Sequence, residues 1–460
     1  MEALKGLRTE HITNYQAWPA AVWILLLTTA VSLLALVFWR PSFPKNAPKF
    51  SKADDWPLVG ALRFFSDRRN FLLYGTNQSQ SGSFSFYLGK YRIVAVSGPE
   101  GRKAFFDSKE LSMPEGYATL YAAAPSNDKA IKVTEEETFH KWFGRTINAL
   151  LRKETLAKNL VPLVDDSRKA LDRTLARAGS GGLFDPFEDI YRIVYQLTMR
   201  TVGATEFAES PKMLEKTLHW FEVIESSTSA TRIIFPWLPT PGYIRQMIYG
   251  ARIYTTLNRV MNERKKTGRR VEDSLQFLMD SGANVVRILT FIMSSLFAGQ
   301  LNSGINAAWM LIYLAADPYW YRQLRDEVDG VVKKHRKSPE QSGTDVLAGL
   351  TMADWESDFP LIDLALRETI RLQMVGAAFR KNISGKDYSI GKTGEVVPED
   401  SYVTYPVDDV HFNPEIYPEP AKWDPGRYLP DRAEDKKAPW TYMGLGFGQA
   451  YLLYVISLTI

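Results

Sequence analysis

The chain has 460 residues, 45% of them hydrophobic and 23% charged, a length that suits one large domain or about three small ones. Its 56 Lys and Arg against 52 Asp and Glu leave a net charge of +4, too small and too dispersed to point to nucleic acid as a partner. Cysteine is absent altogether, which excludes disulfides, thiolate metal sites and cysteine nucleophiles within these residues.

The first element is apolar. Ala20 to Trp39 runs 20 residues without a charge, enough for about 30 Å of helix, one bilayer core. Its eleven Val, Ile, Leu and Phe residues favour insertion by roughly 3 to 7 kcal/mol. The run is long for a signal-peptide core, and no small-x-small cleavage site follows, so it reads as an anchor. Lys5 and Arg8 before it are balanced by Glu2 and Glu10, whereas Arg40, Lys45, Lys49 and Lys52 crowd the far side. The positive-inside bias then predicts a lumenal tail over 1–19, a membrane anchor over 20–39 and a cytoplasmic remainder. Pro41, Pro44 and Pro48 make 40–55 a stiff, basic hinge, and the main domain is expected over 56–460.

Ser83 to Val96 carries two β-rich arms around Gly89-Lys90 and reads as a hairpin, with a helix after Pro99. From there to about Gln373 the apolar spacing is three and four residues, as in "FEDIYRIVYQLTMRTV" and "YIRQMIYGARIYTTLNRVMNERKK", which predicts helices. Strands return around Lys386 to Val407. Ile288 to Ala316 is 29 residues without a charge, about 43 Å if helical. Gly299, Asn302, Ser303 and Asn306 share one face of it with Gln300 beside them. Lipid would leave those amides unpaired, so a central helix facing protein, a cavity or a ligand is expected instead of a second span. A close helix-packing seam is the plainer alternative.

In "FPLIDLALRETIRLQ", Glu368 and Arg371 sit three apart and can pair. Such a pair arises about once by chance in a chain of this size, but apolar Leu364, Ala365, Ile370 and Leu372 imply a half-buried helix, where an ion pair needs further partners. Arg427 is a candidate third member. It lies in "VHFNPEIYPEPAKWDPGRYLPD", whose five prolines from Pro414 to Pro430 exclude helix and central strand. Asp408, Asp409 and His411 in the same stretch form a weaker candidate metal set.

These motifs, at this spacing, resemble those of the microsomal cytochromes P450, the heme-thiolate monooxygenases, over essentially all of Ala20 to Gly448. The resemblance implies a mainly α fold with a small β region, preceded by one transmembrane helix. It makes Glu368, Arg371 and Arg427 a buried structural triad, although Gly426 stands where the family usually has Glu. Arg380 and, more loosely, Arg145 would hold the propionates of heme b. Gln300, Asn302 and Ser303 would form the catalytic notch, with Leu301 and Asn302 in place of the usual acid and alcohol. An amide does not titrate near neutral pH and relays protons poorly. The Gln-x-Asn-Ser pattern is similar to the branch with prostacyclin synthase and the bile-acid sterol hydroxylases, which contains both hydroxylases and peroxide isomerases.

The chain closes on "GLGFGQAYLLYVISLTI". A dinucleotide loop would need further β-α units and an acid beyond its glycines, and neither follows. "YMGLGFG" instead matches the start of the family's loop before the heme-ligating cysteine. That cysteine and the family's last strand pair are not in this sequence, so a skipped exon boundary after Gly448, or a degenerate gene, is expected. Tyr442, Met443 and Tyr451 read as packing residues. The implied protein oxidises a sterol- or terpenoid-like molecule at the endoplasmic reticulum membrane with electrons from an NADPH-cytochrome reductase. A peroxide isomerase or dehydratase and an inactive remnant are the alternatives.

Overall fold

The computed structural model describes residues 19–120 and 138–444; most of the tail before the apolar run, the last two of the closing glycines and Tyr451 lie outside them. Helix α1 covers Ala20–Phe38, and Trp23, Ile24, Leu25 and Leu27 on it are exposed. The segment after it lies against the body of the protein. Arg40 donates to Asp55 Oδ1 at 2.7 Å and to the Trp56 carbonyl at 2.8 Å, while Phe43 and Phe50 pack on Tyr87 with ring centroids 4.9 and 5.4 Å away. Prolines keep this stretch extended, but its aromatic residues give it a surface to dock on.

The expected hairpin is β3 (Phe84–Leu88) and β4 (Tyr91–Ala95), paired from Phe84↔Ala95 to Leu88↔Tyr91. Gly89 takes the turn at φ +58°, which glycine reaches without strain. Before it lie β1 (Asp55–Trp56) and β2 (Gly60–Ala61), and after it β5 (Leu111–Ser112). The sheet is completed from the far end of the chain by β6 (Ala377–Asn382) and β9 (Tyr402–Pro406), in the order β1-β2-β3-β4-β9-β6-β5. The small β7 (Tyr388–Ser389) and β8 (Val396–Val397) pair separately. Among the described strands β4 and β9 alone run parallel, the long-range pairing that joins the two ends of the domain.

Helices fill the middle. After α2 (Arg68–Asn77), α3 (Gly98–Asp107) and α4 (Met113–Leu120) come α5 (Phe139–Leu150), α6 (Lys153–Ala178), α7 (Pro186–Val202), α8 (Pro211–Ser226) and α9 (Pro241–Thr267). Then follow α10 (Val285–Ala316), α11 (Pro318–His335) and α12 (Pro360–Gln373). Start signals are local: Asp185, Ser210, Thr240, Asn284 and Asp317 each cap their helix through a side-chain oxygen, satisfying amides that the helix cannot. Helix α12 lacks its own cap, and Glu327 of α11 supplies one, accepting from the amides of Leu361 at 2.7 Å and Ile362 at 3.1 Å.

Helix α10 runs through the main apolar core. Ile288, Phe291, Ile292, Leu296 and Ala308 on it are buried with Ile190, Val194 and Leu197 of α7. By length and composition this helix would pass for a membrane span, yet its apolar window is 59% buried in protein. That burial agrees with the central-helix expectation and explains an apolar helix without a membrane.

Candidate functional site

The best-formed polar centre lies where α12 meets the irregular wrap. Glu368 and Arg371, one turn apart, bring both side chains to the same side of α12, and neither is exposed to solvent. Arg371 grips the carboxylate with two parallel bonds, Nε to Oε2 and Nη2 to Oε1, both 2.8 Å. From the wrap, Arg427 Nε reaches Oε1 at 3.1 Å. The Asp424 amide adds a bond to Oε1, and the Tyr428 hydroxyl one to Oε2, each 3.1 Å. The remaining guanidinium donors go to backbone carbonyls of His411, Pro418, Glu419 and Lys422 and to Glu434 at 2.9 Å.

All three members of the expected triad therefore meet, and sequence reasoning missed the rest of their company. Tyr428 and Glu434 lie 60 and 66 residues from Glu368 in an irregular segment, with no periodicity to reveal them. Glu434 gives Arg427 the second carboxylate that Gly426 cannot. The guanidiniums find carbonyls because the proline-rich wrap has only short helical turns of its own to use them.

Asp408, Asp409 and His411, the weaker candidate metal set, do not come together. Asp408 pairs with Arg69 at 2.6 Å; Asp409 accepts from the Gly98 amide and the Tyr405 hydroxyl; His411 Nε2 accepts from the Met443 amide at 3.0 Å. Each has a different partner, so no common centre exists. His411 is fully buried, and burial together with the nearby Arg371 charge lowers its pKa to about 3, keeping the ring neutral. Tyr442 stacks on it with ring centroids 5.8 Å apart and lies under Arg367, and Met443 is buried, both as packing residues.

Arg380 lies on β6, where α4 crosses so closely that a methyl group on Gly116 would stand 2.6 Å from the Arg380 backbone. Its guanidinium donates to the carbonyls of Ser108 at 2.9 Å and Leu111 at 3.2 Å. Nε is buried without a partner, and no carboxylate pairs with this cation among the described residues. Burial lowers its pKa. Arg145 sits on the exposed side of α5, away from comparable enclosure.

The α10 notch divides in two. Gln300, with no solvent exposure, donates through Nε2 to the Tyr191 carbonyl of α7 at 2.6 Å. Gly304, one turn on, admits the Tyr191 ring, since a methyl there would lie 3.2 Å from Cδ2. This side is a helix-packing seam, as the plainer alternative had it. Around the helix from it, Asn302 Nδ2 donates to the Ala298 carbonyl at 2.7 Å, and Asn306 Nδ2 to the Asn302 carbonyl at 2.6 Å. Ser303 and Asn306 are buried, and Ser303 Oγ, Asn306 Oδ1 and Gln300 Oε1 have no partner.

Comparison with known proteins follows the same outline. Residues 51–450 match the family model described as Cytochrome P450. The cytochrome P450 monooxygenase AacuE of Aspergillus aculeatus is 32% identical over 93% of this chain and 85% of its own length. Obtusifoliol 14-alpha demethylase of Sorghum bicolor is 24% identical over 92% and 84%. Among solved structures, cyanobacterial CYP120A1 with retinoic acid bound superposes with a TM-score of 0.68 at 18% identity, covering 91% of each chain, a likeness of fold. The mainly helical fold, the closed carboxylate–guanidinium centre and a family match from residue 51 to residue 450 together establish that the chain belongs to the cytochrome P450 family of heme-dependent monooxygenases.

Proposed function

We propose that this protein binds a hydrophobic secondary metabolite, sterol- or terpenoid-like in character, beside α10 and belongs to an oxidation at the endoplasmic reticulum membrane. The observation that carries the reading is the closed Glu368–Arg371–Arg427 centre, which braces α12 under the notch helix. In this reading electrons come from an NADPH-cytochrome reductase and α1 is the single-pass anchor of a cytoplasmic domain. The fungal monooxygenases and plant sterol demethylases among its relatives support the substrate class.

The family and its fold bind heme b, and the residues here fit that group at one end only. Arg380 offers a half-buried cation with an unpartnered Nε, suited to a propionate. Heme-thiolate chemistry would also need a sulfur donor, whose electron donation favours O–O cleavage, and the 460 residues contain no cysteine. The donor set thus matches the carboxylate edge of the porphyrin and lacks the thiolate, so no oxygen chemistry is assigned to these residues. Asn302, Ser303 and Gln300 act at the notch by binding and orientation; none of them titrates near neutral pH.

Heme titration of the purified chain tests the reading. Stoichiometric uptake that falls in Arg380→Leu is expected, with a reduced carbon monoxide spectrum lacking the thiolate-type band. A chain that takes up no heme is the inactive remnant instead. The non-titrating notch also favours a peroxide isomerase as second reading; oxygen consumption without added peroxide would exclude that.

A further inference from the structure

The three notch amides show the same asymmetry. Gln300, Asn302 and Asn306 each place their NH2 group on a backbone carbonyl, at 2.6, 2.7 and 2.6 Å. A carbonyl oxygen can only accept, so these contacts fix which end of each amide is nitrogen. Each NH2 keeps a second hydrogen, but the side-chain atoms left wholly without a partner are oxygens. Gln300 Oε1 and Asn306 Oδ1 are buried without partners, as is Ser303 Oγ between them, and Asn302 is half-buried beside them. Ser303 contributes the single O–H of the group.

Buried polar atoms are almost always paired, and those left unpaired in a folded protein mark a place for water or a ligand. On the helix Asn302, Ser303 and Asn306 lie within about one turn of one another, around the helix from the Gln300 amide that α7 holds. The first three therefore lie close together on the helix, and two buried oxygens among them, Ser303 Oγ and Asn306 Oδ1, have no partner. A ligand presenting a hydroxyl hydrogen meets several acceptors there. An ether or a plain hydrocarbon of the same shape leaves all of them unpaired, a penalty that binding does not recover.

We propose that Asn302, Ser303 and Asn306 make this protein selective for lipophilic molecules that carry a hydrogen-bond-donating hydroxyl, aligned on the oxygens of the notch. The inference rests on the reading of α10 as the wall of the substrate site and adds what that wall recognises. It involves no covalent step: the hydroxyl proton stays on its oxygen and points to Asn306 Oδ1 or Ser303 Oγ.

The test compares 2-naphthol with 2-methoxynaphthalene, which differ in the donor alone, by isothermal titration and tryptophan quenching on the full chain in detergent. The expected result is naphthol binding tighter by roughly tenfold, with the preference abolished in Asn306→Leu and reduced in Ser303→Ala, both checked for native circular dichroism. Equal affinity for the two probes overturns the proposal, because the acceptors then keep their water. So does a preference that survives in both variants, or failure of either probe to bind. Heme uptake, read separately from the Soret absorption, keeps the two claims apart. Loss of heme with the naphthol preference intact sinks the cofactor reading alone, and heme uptake without the preference sinks this proposal alone.

Discussion

Two buried polar groups, one on α12 and one on α10, are finished in opposite ways. At Glu368 five donors converge on two carboxylate oxygens, and the guanidiniums disperse their other hydrogens over carbonyls and Glu434. At the notch every amide nitrogen is placed and the buried oxygens of Gln300, Ser303 and Asn306 are left open. A closed network fixes geometry; an open one keeps affinity in reserve for something that arrives. On the proposal above, the first region serves structure and the second recognition, although sequence composition would call both simply polar.

Breaking the closed network should have the largest effect. Glu368→Gln leaves the Arg371 guanidinium buried without a counter-charge, while Arg427 keeps Glu434, and a buried pair broken from one side costs about 3 to 5 kcal/mol. Urea unfolding should show that loss with an unchanged slope, and a loss below about 1 kcal/mol would show that Arg371 and Arg427 hold one another's environment without the carboxylate.

His411 sharpens the comparison through pH. Its carbonyl accepts from Arg371, its ring stacks on Tyr442 and its Nε2 takes the Met443 amide, so the neutral ring is built into the closed side. The folded pKa is depressed to about 3 from 6.5. The unfolded chain therefore binds a proton below about pH 6.5 that the folded protein refuses, and stability falls as pH drops from about 6.5 toward 3. A loss of roughly 2 kcal/mol between pH 7 and 4.5 is expected from this one group. His411→Asn should flatten that part of the profile in thermal melts across pH, and an unchanged slope would remove the ring from the account.

Glu327 tests whether the orientation of α12 matters to the closed centre. Its carboxylate caps two amides across helices, a contact of the kind worth about 1 kcal/mol. Glu327→Gln keeps the shape and most of the hydrogen bonding, so a smaller loss is expected than for Glu327→Ala. Equal losses in the two would assign the effect to packing.

Much of this was legible in the sequence because it is local. Gly89-Lys90 between two β-rich arms gave the hairpin, and the one-turn spacing of Glu368 and Arg371 gave the ion pair. The apolar neighbours of that pair gave its burial. What the sequence did not show depends on segments far apart in the chain. The role of Tyr428, the substitution of Glu434 for an acid at Gly426, and the docking of 40–55 through Phe43 and Phe50 all arise from meetings across the fold. His411 near two aspartates suggested a ligand set, yet each of the three side chains turns to a different neighbour. At the notch the residue types were readable from their spacing. Which atom of each amide remains available was not, because that depends on the backbone carbonyls one turn earlier and on α7.

The smallest expected effect is the most discriminating. Asn306→Leu replaces a buried amide whose nitrogen already bonds its own helix and whose oxygen bonds nothing, by a side chain of the same branching but larger volume. An amide bonding back to the preceding turn adds little to a helix, whereas removing an unpaired buried acceptor relieves a desolvation cost of about 1 to 3 kcal/mol. The two contributions oppose each other, so the variant should melt within about 1 kcal/mol of the parent, and above it if anything. The exchange at Glu368 should cost about 3 to 5 kcal/mol. A notch variant as damaging as the Glu368 one would mean that water or another group already completes Asn306 Oδ1, and the contrast between a closed brace and an open recognition patch would vanish.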